Sequence, residues 1–215
     1  MSGRAKPQWR GEPLPRGRHK LSTEEVQASQ RERLLMAMLQ CVGHRGYAET
    51  TVPEVISTAR VSRNGFYALF DDKLDCFLAL CDELAGAFID ELYGFASEPD
   101  WKTALDKGMW SYLGFWEDRP EYSRAWLVEL PAAGPRAFAQ RDRQFKRFEL
   151  MFDALAARAR AADPSLPPLH PLASRFLVLG ITELVALEVR EGRVHRLTTL
   201  HDQLVELAST IILGG

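Results

Sequence analysis

Apolar residues recur at helical spacing along most of the chain. The first such segment begins near Ser22 or Thr23, with Glu24 and Glu25 in its first turn, where acidic side chains suit the helix dipole. Its apolar face carries Val26, Leu34, Leu35, Met38, Leu39 and Val42. These positions recur with the 3.6-residue period of an α-helix. They predict an amphipathic helix that ends between Gly43 and Gly46.

Three further helices are predicted by their first residues. Thr51 and Glu54 have the spacing of a capping box, which favours a short helix over Val52–Ala59. Ser62 is placed to cap a third helix that ends near Leu69 or Phe70. Asp71 is placed to cap a long fourth one.

The remainder of the pattern predicts helices at about 100–117, 120–130, 136–162, 170–191 and 197–213, divided by Pro, Gly and Asp. Leucine and alanine number 54 together, whereas valine and isoleucine number 16, and that balance favours helices over strands. We therefore predict an all-α fold. Its 215 residues are enough for one large domain or two small ones.

Several classes of protein are excluded by composition. No apolar run approaches the roughly 18 residues that a transmembrane helix needs, and no apolar stretch follows the basic N-terminus as in a secretory signal. The three cysteines, Cys41, Cys76 and Cys81, are an odd number in apolar helical patterns. They fit a reducing cytoplasm and not a disulfide framework, so we expect a cytoplasmic protein.

Charge is unevenly distributed along the chain. The net charge is −2, but residues 1–20 carry six bases and one acid, and they are rich in Pro and Gly. We expect 1–20 to be a flexible basic arm. A basic N-terminal third on an acidic body indicates contact with a polyanion. A solvated leader that binds nothing remains an equal alternative for the arm itself.

The second and third predicted helices form a candidate helix-turn-helix. Such a motif places the start of its second helix in a DNA major groove about 12 Å wide, so the residues there must be small or able to bind bases. Ser62, Arg63, Asn64 and Gly65 meet this requirement. Arg63 would donate to guanine, and Asn64 would pair with adenine or contact a phosphate. Taken alone, the same residues also fit an ordinary solvated surface.

The segment 46–74 resembles the DNA-binding signature of TetR-family regulators. The shared pattern is a Gly-aromatic pair, Thr-Thr-Val, a short helix, Val-Ser, Phe-Tyr, Phe and a Lys that begins the next helix. The resemblance covers residues 25–75. It implies a three-helix DNA-binding domain over 21–73, joined by a long helix to a ligand-sensing and dimerisation domain over 74–215.

The resemblance also implies roles for individual residues. The residues expected to contact DNA are Thr50, Thr51, Ser62, Arg63, Asn64, Gly65, Tyr67 and Lys73. Thr51 and Lys73 would bind phosphates at helix N-termini, and Tyr67 would do so through its hydroxyl, although a core position for Tyr67 is the alternative. Phe66 and Phe70 are expected to pack in the core.

Two positions depart from the family pattern. Arg60 stands where the family usually has Gly, and Gly65 where it often has Thr or Ser. If the turn needs a positive φ at residue 60, a non-Gly residue costs about 1 kcal/mol there. Gly65 lacks a hydroxyl and weakens the third helix by about 0.5–1 kcal/mol.

Aromatic residues and Met recur on the helices that enclose a ligand cavity in the resembling family. The residues expected to line such a cavity are Phe88, Met109, Trp110, Leu113, Trp116, Trp126, Leu127, Phe148 and Phe152. A lining of this kind suits a small hydrophobic or aromatic effector. The alternative is that most of these residues are simply core.

The last two predicted helices are apolar along one side, and no later element is available to cover them. In the resembling family these helices pair two protomers. The residues expected at a homodimer interface are Leu177, Ile181, Leu184, Leu200, Leu204, Leu207 and Ile211.

An enzyme is disfavoured, since no phosphate loop, nucleophile elbow or zinc-binding His pattern occurs in the sequence. No cofactor and no metal are expected. The sequence thus predicts a ligand-responsive regulator that binds double-stranded operator DNA as a homodimer, without membrane contact, most simply as a repressor. An activator, or a helical protein-interaction module that keeps the motif, is the alternative.

Overall fold

The computed structural model describes residues 22–214, and all regular secondary structure in that range is helical. The helices are α1 (Thr23–Arg45), α2 (Val52–Ala59), α3 (Arg63–Tyr67), α4 (Lys73–Gly94), α5 (Trp101–Glu117), α6 (120–132), α7 (Pro135–Ala162), α8 (Ala173–Arg190) and α9 (His201–Leu213). Residues 1–20, where we expect the basic arm, lie outside the described residues. None of the helices between residues 22 and 214 has the length and hydropathy needed to span a bilayer.

Most helix starts are where the capping residues predict them. Ser22 and Glu25 form a capping box at α1, and Thr51 and Glu54 form the predicted one at α2. The start of α4 is a correction, because Asp72, not Asp71, is its N-cap and accepts a hydrogen bond from the Asp75 amide. Since Asp72 is extended, with φ −152°, the chain must leave helical geometry before it, and α3 ends early, at Tyr67.

The sixth helix departs from regular α geometry. It was predicted as one helix over 120–130, but its middle, Arg124–Glu129, is a π turn between the α segments Pro120–Ser123 and Leu130–Ala132. Pro131 gives a physical reason, because an α-helix would need its missing N–H to bond to the carbonyl of Leu127. Two other boundaries also differ: α8 begins at Ala173, and a 3₁₀ turn, Val194–Leu200, precedes α9.

One continuous apolar core joins the N-terminal helices to the rest of the chain. Phe66 and Phe70 are buried in this core, as predicted. Further along α4, Phe88 stacks on Phe115 at 4.0 Å between ring centroids, and Trp116 packs beside both. Because α4 contributes to both regions, a shift of this helix would change the packing of the N-terminal helices and of the rest of the chain.

The turn between α2 and α3 contains a left-handed residue. Arg60 has φ 53° and ψ 43°, and it is the only residue other than glycine in the described range with a positive φ. The Arg33 side chain of α1 donates to the carbonyls of Ala59 and Arg60 at 3.2 and 3.4 Å. Arg33 therefore satisfies the end of α2, where helix carbonyls lack partners.

Replacing Arg60 with glycine should stabilise the fold. Glycine adopts a left-handed conformation without the Cβ clash, and its larger freedom in the unfolded chain cancels part of the gain, so Arg60→Gly should raise the free energy of unfolding by about 0.5–1 kcal/mol. Urea denaturation measures the difference. The control is Arg60→Ala, which removes the same side chain but keeps Cβ. A gain for alanine equal to that for glycine would contradict the backbone explanation.

Candidate nucleic-acid interface and ligand cavity

The first turn of α3 is presented to solvent. Ser62, Arg63 and Asn64 are exposed, and the Ser62 hydroxyl accepts a hydrogen bond from the Gly65 amide at 3.0 Å. Tyr67 follows one turn later and is 47% exposed, with the Arg63 guanidinium 5.6 Å from its ring centroid. Because Phe66 beside it is buried, the helix has one anchored face and one polar face. The exposure of Tyr67 argues against the core alternative.

Gly65 has a packing reason to be glycine. A Cβ at this position would lie 2.8 Å from Cγ1 of Val61, closer than carbon atoms pack. Val61 is buried, so its methyl group has little room to move. The departure from the family pattern at residue 65 therefore follows from the close approach of α3 to the residue that precedes its cap.

Thr51 caps α2 with its own hydroxyl and amide. Its Oγ1 accepts from the Glu54 amide at 3.4 Å, and its amide and hydroxyl both donate to Glu54 Oε2 at 3.0 Å. These bonds, the hydroxyl bond first, hold the pKa of Glu54 below its usual value. Thr51 is exposed, as a phosphate contact requires, but its hydroxyl donates within the chain.

Thr50 and Lys73 are turned inward, which corrects their assignment as direct DNA contacts. Thr50 is buried, and its hydroxyl donates to the Gly46 carbonyl at 2.8 Å. The Lys73 ammonium donates to the carbonyls of Tyr47 and Thr50, each at 2.8 Å, and lies 4.1 Å from the Tyr47 ring centroid. Burial lowers the pKa of Lys73. Both residues shape the loop that leads into α2.

An apolar cavity of about 150 Å³ lies between α4, α5, α6, α7 and α8. Four of the nine predicted residues line it: Met109, Trp126, Phe148 and Phe152. Phe88, Leu113, Trp116 and Leu127 are buried in the core and do not line it. Trp110 is a correction of another kind, because it is 44% exposed and stacks on His201 outside the cavity.

The pattern also missed several lining residues. Leu92, Leu105, Tyr112, Met151, Val178 and Arg158 contribute to the wall, and Arg158 is anchored to the carbonyls of Ala96 and Glu98. Apolar periodicity marks which face of a helix is covered, but a cavity wall and a packed core have the same periodicity. Burial raises the pKa of Tyr112, so its phenol stays protonated and neutral.

The exposed apolar surface of α8 and α9 differs from the one predicted. Leu204 is buried within the chain and is corrected to a core residue, and Leu200 and Ile211 are half-buried. Leu177 and Ile181 have little exposed surface, but they line the floor of an open groove. Leu184 and Leu207 are each 45% exposed. They lie in an open groove with Phe176, Gly180 and Leu187, which the sequence pattern did not single out.

Two of the three cysteines are held in the thiol form by burial. Cys76 and Cys81 are buried, and burial raises the pKa of Cys76 to about 12 and that of Cys81 well above its usual value. Between residues 22 and 214, no three His, Cys, Asp or Glu side chains converge in a way that would hold a metal ion.

Removing the Lys73 ammonium should cost stability. Lys73→Met leaves two loop carbonyls without their donor and should lower the free energy of unfolding by about 1–2 kcal/mol. Chemical denaturation provides the measurement. Lys146→Met is the control: Lys146 is exposed and only pairs loosely with Glu149, so its loss should change stability by less than about 0.5 kcal/mol. Equal effects of both substitutions would refute the loop-holding role.

Comparison with known proteins supports the fold and its N-terminal motif. Residues 34–80 match the family model described as bacterial regulatory proteins, tetR family. No curated protein sequence matches the chain. The match of residues 34–80 covers α2, α3 and the adjoining halves of α1 and α4, the elements that carry the exposed polar face.

Solved structures of regulators have the same architecture. The fatty acid degradation regulator FadR from Bacillus halodurans is 20% identical, covers 86% of this chain and 95% of its own, and has a TM-score of 0.76. FadR from Bacillus subtilis in complex with stearoyl-CoA is 16% identical over 83% of this chain and 97% of its own, with a TM-score of 0.75. SmeT, the repressor of the Stenotrophomonas maltophilia multidrug efflux pump SmeDEF, is 17% identical over 83% and 87%, with a TM-score of 0.68. Residues 34–80 of this chain are thus similar to the N-terminal region of the tetR family of bacterial regulatory proteins, and the described helices share their fold with these solved regulators.

Proposed function

We propose that this protein is a ligand-responsive repressor, not an enzyme, which binds a palindromic operator in the cytoplasm as a homodimer. Residues 21–73 would bind DNA, and residues 74–215 would sense the effector and dimerise. The observation that carries the proposal is the two-faced α3, in which Phe66 is buried while Ser62, Arg63, Asn64 and Tyr67 face solvent. A surface of this shape and chemistry fits a major groove.

The chemistry of the DNA-facing residues decides which of them would contact bases and which would contact the DNA backbone. Arg63 and Asn64 would contact base edges and supply sequence preference. Ser62, Gly65, Tyr67 and the exposed start of α2 at Thr51 would contact the backbone or allow its close approach, and so set the orientation. Thr50 and Lys73 would act only by holding the loop before α2.

A homodimer formed through the groove of α8 and α9 would have the two-fold symmetry that a palindromic operator requires. Phe176, Leu184, Leu187 and Leu207 form an apolar surface that no other part of the described chain covers. A two-fold axis through this surface would place two α3 helices symmetrically. Their separation would then select half-sites about one helical turn apart, or a multiple of it.

A small hydrophobic effector fits the cavity. Its walls are almost entirely apolar, with aromatic rings from α5, α6 and α7. Two regulators of the same fold were solved with a small molecule bound, FadR with stearoyl-CoA, which carries a long acyl chain, and SmeT with triclosan. The effector would bind the protomer arrangement with the wider α3 spacing more tightly, and operator affinity would fall by that difference in affinity.

Selecting genomic fragments that the purified protein retains provides the operator for a direct test. With that fragment, Arg63→Ala should lower affinity about tenfold or more and relax base preference at one position, because a base contact contributes about 1–3 kcal/mol. Tyr67→Phe should lower affinity about threefold to tenfold through the loss of one phosphate hydrogen bond.

Lys146→Ala, an exposed base on α7, is the matched control and should change operator affinity less than about twofold. No retained fragment at physiological salt would contradict DNA binding and favour the protein-interaction alternative. A fragment that is bound equally by Arg63→Ala and Tyr67→Phe would contradict only the residue assignment. Reporter expression that rises when the protein is produced would indicate an activator.

Placing a charge in the apolar groove should separate the protomers. Leu184→Arg would leave a guanidinium in the proposed interface, so analytical ultracentrifugation should show a monomer where the wild type is a dimer. Leu150→Arg, at a leucine of α7 that is even more exposed, is the control and should stay dimeric. A dimeric Leu184→Arg protein, or a monomeric wild type, would exclude this groove as the interface.

A further inference from the structure

Glu129 reaches from the ligand-sensing region to the main chain of the DNA-binding domain. Its Oε2 accepts a hydrogen bond from the Tyr47 amide at 2.9 Å, and only 17% of its side chain is exposed. Gly46 allows this approach: its φ is +83°, and a Cβ there would lie 3.0 Å from Oε1 of Glu129. The carboxylate is thus fitted closely against the chain between α1 and α2.

The chain that Glu129 holds leads directly to the DNA-facing end of α2. Within it, the Thr50 hydroxyl donates to the Gly46 carbonyl, and Lys73 joins the carbonyls of Tyr47 and Thr50. Thr51 follows as the N-cap of α2. The carbonyls of Gly46, Tyr47 and Thr50 are thus hydrogen-bonded to neighbouring side chains. A displacement of the Tyr47 amide would therefore also move the start of α2.

The other side of Glu129 leads to the cavity. Glu129 is the last residue of the π turn Arg124–Glu129, and Trp126 in the same turn lines the cavity. The Trp126 indole is anchored by Gln144 at 3.0 Å, and Gln144 in turn donates to Asp82 of α4 at 2.9 Å. π turns hold one residue more than an α turn, and a change back to α geometry would rotate the residues that follow by roughly 100°.

We infer that Glu129 is a positioning residue for operator binding: through the Tyr47 amide it transmits the position of Trp126 in the cavity to the start of α2. This inference rests on the proposed function. In the effector-free protein the hydrogen bond from Tyr47 to Glu129 holds α2 ready for DNA. An effector in the cavity displaces Trp126, and the π turn Arg124–Glu129 then changes to α geometry. Glu129 rotates away as a result, and its hydrogen bond with the Tyr47 amide breaks.

The first experiment compares two carboxylates that make the same kind of bond in different places. Glu117 Oε2 accepts from the Thr198 amide at 2.7 Å, far along the chain from the DNA-binding domain. Glu129→Ala should raise the hydrogen-exchange rate of the Tyr47 amide and lower affinity for the genome-selected operator fragment, each about tenfold. Glu117→Ala should leave both within about twofold of wild type, although it loses an equivalent bond. Glu129→Gln keeps an acceptor oxygen and should restore most of both properties.

The second experiment tests transmission from the cavity without an effector. Gly108 lines the cavity, and a Cβ added there meets nothing within 4 Å, so Gly108→Leu places an apolar side chain in the space an effector would occupy. In the wild-type background this substitution should lower operator affinity about fivefold, a typical coupling between two sites. Combined with Glu129→Ala it should cause almost no further loss, because the link is already broken.

The outcomes separate the two proposals. A wild-type protein that binds no genomic fragment overturns the proposed function and this inference together. A wild type that binds, with Glu129→Ala binding equally well or Glu117→Ala binding as poorly, overturns the role of Glu129 alone. Transmission through Glu129 is also overturned if Gly108→Leu has no effect on operator affinity, or the same effect with and without Glu129.

Discussion

The position of the Lys73 ammonium determines how the exposed polar face is built. Taking a charged amine partly out of water is unfavourable, as the lowered pKa of Lys73 reflects, and its bonds to two carbonyls together with the Tyr47 ring offset that penalty. Tyr47 in turn stacks on Phe77 of α4 at 4.9 Å. The loop before α2 is thereby attached to α4, and α2 carries α3 with it. Without this attachment the loop carbonyls would need water, and the angle between α2 and α4 would be loosely defined.

The aromatic residues of α4 to α7 form two groups with different positions relative to the cavity. Phe88 stacks on Phe115, Trp116 stacks on Tyr122, and the rings of Phe115 and Trp116 meet edge to face, so the four rings form one packed layer. Trp126 and Phe148 contact that layer, and both line the cavity together with Phe152. The layer lies behind the cavity wall and supports it. The three lining residues are those whose positions a ligand would change.

The sequence predicted the features that depend on neighbouring residues. The start of α2 was predicted to the residue, because Thr51 and Glu54 bond to each other within one turn. The anchoring of Phe66 was also predicted, because a helix as short as α3 needs an apolar anchor in the core. The roles of Thr50 and Lys73 were not, because their partners are carbonyls of a loop whose path is set by tertiary packing. The same limit applies to Leu204: periodicity places it on an apolar face, but only the packing of α9 on α5 shows that the chain covers that residue itself.

The close contact between Gly65 and Val61 restricts which residues the exposed face of α3 can accept. Introducing a serine or threonine at residue 65 would push against the buried methyl group of Val61, so a smaller residue at 61 must accompany it. Each change alone would destabilise the fold, the first by a clash and the second by a cavity. Together they would compensate each other. Natural variation or laboratory selection at these positions should therefore proceed in pairs, and libraries that randomise the recognition helix alone would omit the combinations that fold.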